Sequence, residues 1–182
     1  MYVTIFGGSK VLPGEKDYQD AEWLGKELAT NGYIVLTGGY VGTMEAVSKG
    51  AFNAGGHVIG VTCEEIEKWR NVKVNPWVKE QRHYATLHER MLALINSCDI
   101  SITLSGGVGT LAEVALIWNR TLIGAIKPHP IILVGEAWKQ TIQTFFNQQG
   151  QYINDHEKSF ITLVEDVQSA VNIVQLQAGI KK

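Results

Sequence analysis

The residues of this chain with the clearest chemical use are an acid, Glu113, a guanidinium, Arg90, and two diglycine turns. The turns are Leu36-Thr37-Gly38-Gly39-Tyr40-Val41-Gly42-Thr43-Met44 and Leu104-Ser105-Gly106-Gly107-Val108-Gly109-Thr110-Leu111. They align with one residue of slippage, and each follows a strand-like run and opens a helical pattern. Glycine tolerates positive φ and carries no Cβ, so backbone amides can converge on an anion where a helix N-terminus has unpaired donors and partial positive charge. Gly38, Gly39, Gly42 and Thr43 of the first turn, and Ser105, Gly106, Gly107, Gly109 and Thr110 of the second, are therefore candidates to hold a phosphate. Neither turn is followed by the Lys-Ser/Thr of a Walker loop, and neither has G-x-G-x-x-G spacing, which argues against a triphosphatase or an ordinary dinucleotide enzyme.

Glu113 has two readings. Thr110-Leu111-Ala112-Glu113 fits a T-x-x-E capping box, which needs no ligand. The following Val114, Ala115, Leu116, Ile117 and Trp118 make the helix apolar nearly all round, which predicts burial and a carboxylate working beside the turn. Either it caps or it works, or it does both. Arg90 sits about 40° from Leu94, at the edge of an inward stripe of Leu87, Met91, Leu94 and Ile95. A guanidinium there must find an anion, or lay its stem on the core and reach water. Thr86 and Glu89 read as another capping box and hence as structural.

Other tempting residues carry less. His57, His83, His88, His129 and His156 are scattered, and Cys63 and Cys98 form no metal spacing, so no metal is expected. Trp23, Trp118 and Trp138 fall on apolar helix faces and read as core, whereas Trp69 and Trp77 could stack on a base or seal an interface.

The elements that must position these groups alternate from end to end. Strand-like runs at residues 3–6, 33–37, 57–62, 100–104, 131–134 and 160–164 are interleaved with helical patterns at 16–30, 42–54, 86–96, 110–119, 137–147 and 167–176. Strands alternating with crossover helices imply a mostly parallel sheet with helices on both faces, a single doubly wound, Rossmann-like α/β domain over residues 1–182. Residues 64–84 are charged and aromatic and read as a long excursion, a lid or a surface insertion.

Composition supports this. Of 182 residues, 45% are hydrophobic and 19% charged, enough apolar material for a core. Sixteen Lys and Arg against eighteen Asp and Glu leave a net charge of -2, so no general positive field favours nucleic acid. Two cysteines make no disulfide scaffold, no basic leader opens the chain, and no apolar run approaches bilayer length. A cytoplasmic protein with no membrane partner is expected.

Leu87-His88-Glu89-Arg90-Met91, Asp99, and the run from Ser105 to Glu113 together resemble the paired signature of the LOG (Lonely Guy) family. With the first glycine turn and Gly50, Ala51, Gly55 and Gly56 behind it, the likeness spans roughly residues 1–146. The resemblance implies hydrolysis of the N-glycosidic bond of a nucleoside 5′-monophosphate, a cytokinin riboside or AMP-like substrate, to free base and ribose 5-phosphate. Arg90 and Glu113 are then catalytic, no cofactor is used, and a homodimer or higher homo-oligomer forms with the site near its interface. Ser105 stands where that family has proline, and Met91 where it has lysine. Both departures point toward outlying branches resembling molybdenum-cofactor carriers, so a non-catalytic nucleotide or molybdopterin carrier is the alternative. The residue chemistry fits hydrolysis: departure of a base from C1′ builds positive charge on the ribose that a buried carboxylate can stabilise, while an arginine and a phosphate seat fix the ligand.

Overall fold

Strand β3 (Val58–Cys63) is buried at every position, the pattern a parallel strand needs when helices cover both its faces. The computed structural model describes residues 1–180. Seven strands form one sheet in the order β4-β3-β2-β1-β5-β6-β7, and every neighbouring pair is parallel. They are β1 (Tyr2–Phe6), β2 (Ile34–Thr37), β3, β4 (Glu80–Tyr84), β5 (Ile100–Thr103), β6 (Ile131–Val134) and β7 (Ile161–Val164). On one face α1 (Lys16–Thr30), α2 (Thr43–Asn53) and α8 (Val167–Ile180) bury Leu24, Val47 and Val171 against Val3, Ile5 and Ile102. On the other, α4 (Leu87–Asn96), α5 (Val108–Leu122) and α6 (Glu136–Gln149) bury Leu94, Ile117 and Trp138 against Phe6, Val61 and Leu133. Two short helices, α3 (Glu64–Arg70) and α7 (Asp155–Lys158), and a 3-10 turn at Gly150–Tyr152 complete the described elements.

The strand order reverses at β1. Thr4 pairs with Leu36 of β2 on one side and Ser101 of β5 on the other. In an open parallel sheet such a switch point leaves a crevice beyond the carboxyl ends of the strands, because the adjoining connections leave in opposite directions. The loops after β1, β2 and β5 meet there.

The expected doubly wound sheet is present, with three differences. Residues 64–84 are not a structureless excursion: they contain α3 and the edge strand β4, whose Glu-Gln-Arg-His-Tyr sequence is half-exposed and lacks the apolar run of a central strand. Helix α5 begins at Val108 with Gly107 as its N-cap and no side-chain cap bond, so the Thr110–Glu113 capping box does not form. Nor is α5 buried all round. Thr110, Val114, Ile117 and Thr121 face the core, while Val108 is 85% and Leu111 47% exposed. The second capping box does form, with Thr86 Oγ1 accepting from the Glu89 amide and Glu89 Oε2 from the Thr86 amide. Trp138 is buried as expected, its indole N–H donating to the Leu104 carbonyl at 3.0 Å.

Candidate functional site

The glycine turn after β5 supplies one wall of a cleft of about 840 Å³, a size suited to a small-molecule ligand. Ser105, Gly106, Gly107, Gly109 and Thr110 all line it. Among the described residues the amides of 106–110 donate no hydrogen bond; the first intrahelical bond recorded from this end is Leu111 N to Gly107 O at 3.0 Å. These are the orphan donors of a helix N-terminus, and the residues that carry them line the cleft. Gly106 is tied to its residue type by contact: a Cβ there would lie 2.2 Å from Thr110 Oγ1.

The turn after β2 contributes differently. Its Gly39 amide already donates to Thr37 Oγ1 at 3.1 Å, and its Thr43 amide to the Gly8 carbonyl at 2.9 Å. Gly38, Gly39, Gly42 and Thr43 are buried and do not line the cleft; the turn presents Tyr40 and Met44 to it instead. Gly38 serves the site by having no side chain, since a Cβ would lie 2.0 Å from Arg90 Nη2 and 2.5 Å from Met44 Sδ.

Arg90 is 4% exposed. Its Nε donates to Val61 O at 2.8 Å and its Nη2 to Gly38 O at 3.3 Å, so the ends of β3 and β2 orient the guanidinium. The Tyr40 ring lies 5.6 Å beneath Cζ, near enough for a cation–π contribution. Nη1, on the remaining side, faces Glu113 Oε1 at 3.6 Å, with the carboxylate side chain 12% exposed. Burial pushes the Glu113 carboxyl up to about 7, against the downward pull of Arg90. A carboxyl in that range can both hold and release a proton near neutrality. Thus the two charges read from the sequence, 23 residues apart on different helices, converge on the cleft that the free amides face.

Several further residues line the cleft; of these only Trp69 stood out in the sequence, as a side chain that could stack on a base. Gly7, Gly8, Ser9 and Lys10 follow β1 and line the cleft. The Gly8 amide donates to Ser105 O at 2.9 Å, joining the first loop to the second glycine turn. A diglycine directly after the first strand of a doubly wound sheet was the available signal. Helix α3 adds Glu65, Trp69 and Arg70. Trp77 instead packs edge-on against Phe52, 5.6 Å between ring centroids, and does not line the cleft. Of the histidines, His83 bonds Thr62 Oγ1 at 3.0 Å and neither it nor His88 lines the cleft. Among the described residues no group of three or more His, Cys, Asp and Glu side chains is placed to hold a metal ion.

Fold and cleft together define a doubly wound α/β protein with a crevice at the switch point of its sheet. More particularly, the chain belongs to the LOG proteins, as a member of the SLOG cluster4 family, whose profile matches residues 1–162. It is 41% identical, over 69% of its length, to the cytokinin riboside 5′-monophosphate phosphoribohydrolase LOG of Oryza sativa subsp. japonica, and spans 51% of that relative. Its match to a second rice relative, at 41% identity over 88% of this chain, spans 65% of that protein. Among solved structures it is similar to the molybdenum cofactor carrier protein of Chlamydomonas reinhardtii, with a TM-score of 0.73 and 26% identity, covering 98% of this chain and 97% of that one. The molybdenum cofactor binding protein of Rippkaea orientalis shares the fold, with a TM-score of 0.75 and 24% identity over 97% and 96% of the two chains.

Proposed function

We propose that the protein hydrolyses the N-glycosidic bond of a nucleoside 5′-monophosphate, a cytokinin riboside or AMP-like substrate, giving free base and ribose 5-phosphate. The observation that carries this reading is the convergence of Arg90 and Glu113 on the cleft faced by the unpaired amides of residues 106–110. In this reading Ser105, Gly106, Gly107, Gly109 and Thr110 seat the 5′-phosphate, anchoring the end of the substrate that does not react. Gly38, Gly39, Gly42 and Thr43 support that seat indirectly, by leaving room for Arg90 and by clasping the loop after β1.

The ionised Glu113 carboxylate stabilises positive charge on the ribose as the base departs, and takes a proton from the attacking water. The C1′–N bond breaks with its electrons leaving on the base, the C1′–O bond forms, and the base gains a proton from solvent. Arg90 keeps the buried acid partly ionised and fixes its direction. Names of relatives support the substrate class.

The same proposal includes a homodimer. Val108, which lines the cleft, and Leu111 leave exposed apolar side chains on α5, and we assign the interface to this part of the helix. A cytoplasmic location goes with it; among the described residues no helix is long and apolar enough to cross a membrane.

A second reading, a carrier that binds a nucleotide or molybdopterin without turnover, is favoured by the likeness to the Chlamydomonas carrier. Chromatography of products after incubation with AMP and with isopentenyladenosine 5′-monophosphate separates the two. Free base released by the wild type and not by Glu113→Gln supports hydrolysis. Melting-point elevation by ligand with no free base supports the carrier.

A further inference from the structure

Helix α3 adds nothing to the core: none of its residues is buried. Its ties to the body run along the rim of the cleft and are polar. Glu65 Oε2 accepts from the Leu87 amide at 2.7 Å, Glu67 Oε1 from the Tyr40 hydroxyl at 3.4 Å, and Arg70 Nη1 donates to Ser9 Oγ at 2.8 Å. Yet this helix carries Trp69, the largest side chain available, 74% exposed and lining the cleft. Singly exposed hydrophobics are common and need no function. Trp69 differs because its ring is held in place: the Arg70 guanidinium stacks on it with Cζ 4.8 Å from the ring centroid, and that guanidinium is itself anchored to Ser9. Ser9 adjoins Gly8, whose amide bonds Ser105 at the start of the second glycine turn. A short run of contacts therefore sets an aromatic plate at a fixed span from the phosphate seat.

We infer that Trp69 determines substrate class by stacking on the base of the ligand, and that Arg70 is its positioning residue. The inference rests on the nucleoside monophosphate proposed above and assigns the residue that recognises its planar, bicyclic base. A plate of indole size gains most from a ring system of similar area, since stacking scales with overlapped surface and tolerates differences in hydrogen-bonding edges. Pyrimidine nucleotides overlap less, and a sugar phosphate not at all.

The test is calorimetric binding of AMP, UMP and ribose 5-phosphate to the full chain, with hydrolysis measured on the same preparations. Trp69→Ala is expected to weaken AMP binding about tenfold, UMP less, and ribose 5-phosphate by less than twofold; loss of one base–aromatic stack has this order of effect. Trp69→Phe is expected to recover most of the AMP affinity. Arg70→Ala is expected to weaken AMP binding several-fold while sparing ribose 5-phosphate. Because α3 buries nothing, these variants are expected to melt with the wild type. Unchanged AMP affinity in Trp69→Ala, equal weakening of AMP and ribose 5-phosphate, or a wild type that binds neither, overturns the inference. The two readings fail separately. Tight, Trp69-dependent AMP binding without hydrolysis leaves the plate and removes the hydrolase, whereas hydrolysis with a KM for AMP indifferent to Trp69 does the reverse.

Discussion

Arg90 Nη1 and Glu113 Oε1 stand 3.6 Å apart, both side chains largely out of water, at the wall of a cleft where five consecutive backbone amides are unpaired. At that separation the pair is an ion pair without a short hydrogen bond, and desolvation outweighs attraction at the acid, leaving its carboxyl at about 7. The same balance governs both chemistry and stability.

Glu113→Gln is expected to lower the rate of base release by about 10²- to 10⁴-fold, the usual contribution of a positioned proton-transfer group. Ligand binding is expected to persist. Chromatographic product analysis with calorimetry on the same sample checks both halves.

The pH dependence has a definite sign. The Glu113 carboxyl titrates near 4.5 when unfolded and near 7 when folded, so between these values the folded state holds the extra proton. Stability is therefore expected to fall as pH rises through that window and to level off above about 7, by up to about 3 kcal/mol. Urea midpoints measured from pH 4.5 to 8 are expected to show this slope in the wild type and not in Glu113→Gln. For hydrolysis, kcat/KM is expected to rise with pH through about 7 as the carboxylate forms; an activity flat from pH 5 to 8 removes Glu113 as the base.

Arg90→Lys is expected to be poorly tolerated. An ammonium cannot reproduce the fork that serves Val61 O, Gly38 O and Glu113 together, and a buried carbonyl left unpaired costs about 1–3 kcal/mol. Thermal denaturation and product release are both expected to drop, and added guanidinium is expected to recover part of the activity in Arg90→Ala.

Gly38→Ala tests the geometry without touching a charged group. The new methyl would occupy space held by Arg90 Nη2 and Met44 Sδ, both ends of movable side chains. The expected outcome is a folded protein, destabilised by about 1–3 kcal/mol, with hydrolysis reduced at least tenfold. Activity equal to wild type contradicts the placement of Arg90.

For the proposed dimer, Val108→Asp with Leu111→Asp places two charges on the exposed apolar face of α5. Light scattering is expected to give the dimer mass for the wild type and the monomer mass for this variant.

The sequence showed Arg90 and Glu113 because charges on apolar helical faces conflict with burial unless something satisfies them. It placed the start of α5 two residues late, since Gly107 and Gly109 look like loop. At the first turn of a helix, however, N–H groups have no intrahelical partner anyway, and glycine there forfeits little. The Thr110–Glu113 spacing then suggested a cap that the true boundary excludes. Strand β4 was hidden because an edge strand needs little apolar surface, and its register against β3 is set by backbone bonds that leave no periodic trace. Likewise Ser9 and Arg70 touch across 61 positions of chain, a pairing no local pattern encodes.

Two of the three Arg90 nitrogens are fixed by main-chain carbonyls, at Val61 and Gly38. Its partner acid has no such anchorage, so the carboxylate could vanish from a descendant of this chain while the cation stayed where it is. On the proposed reading, a single codon change would then turn a hydrolytic pocket into a holding one, with the proposed phosphate seat intact. Within this architecture, the proposed hydrolase and a carrier would lie one mutational step apart.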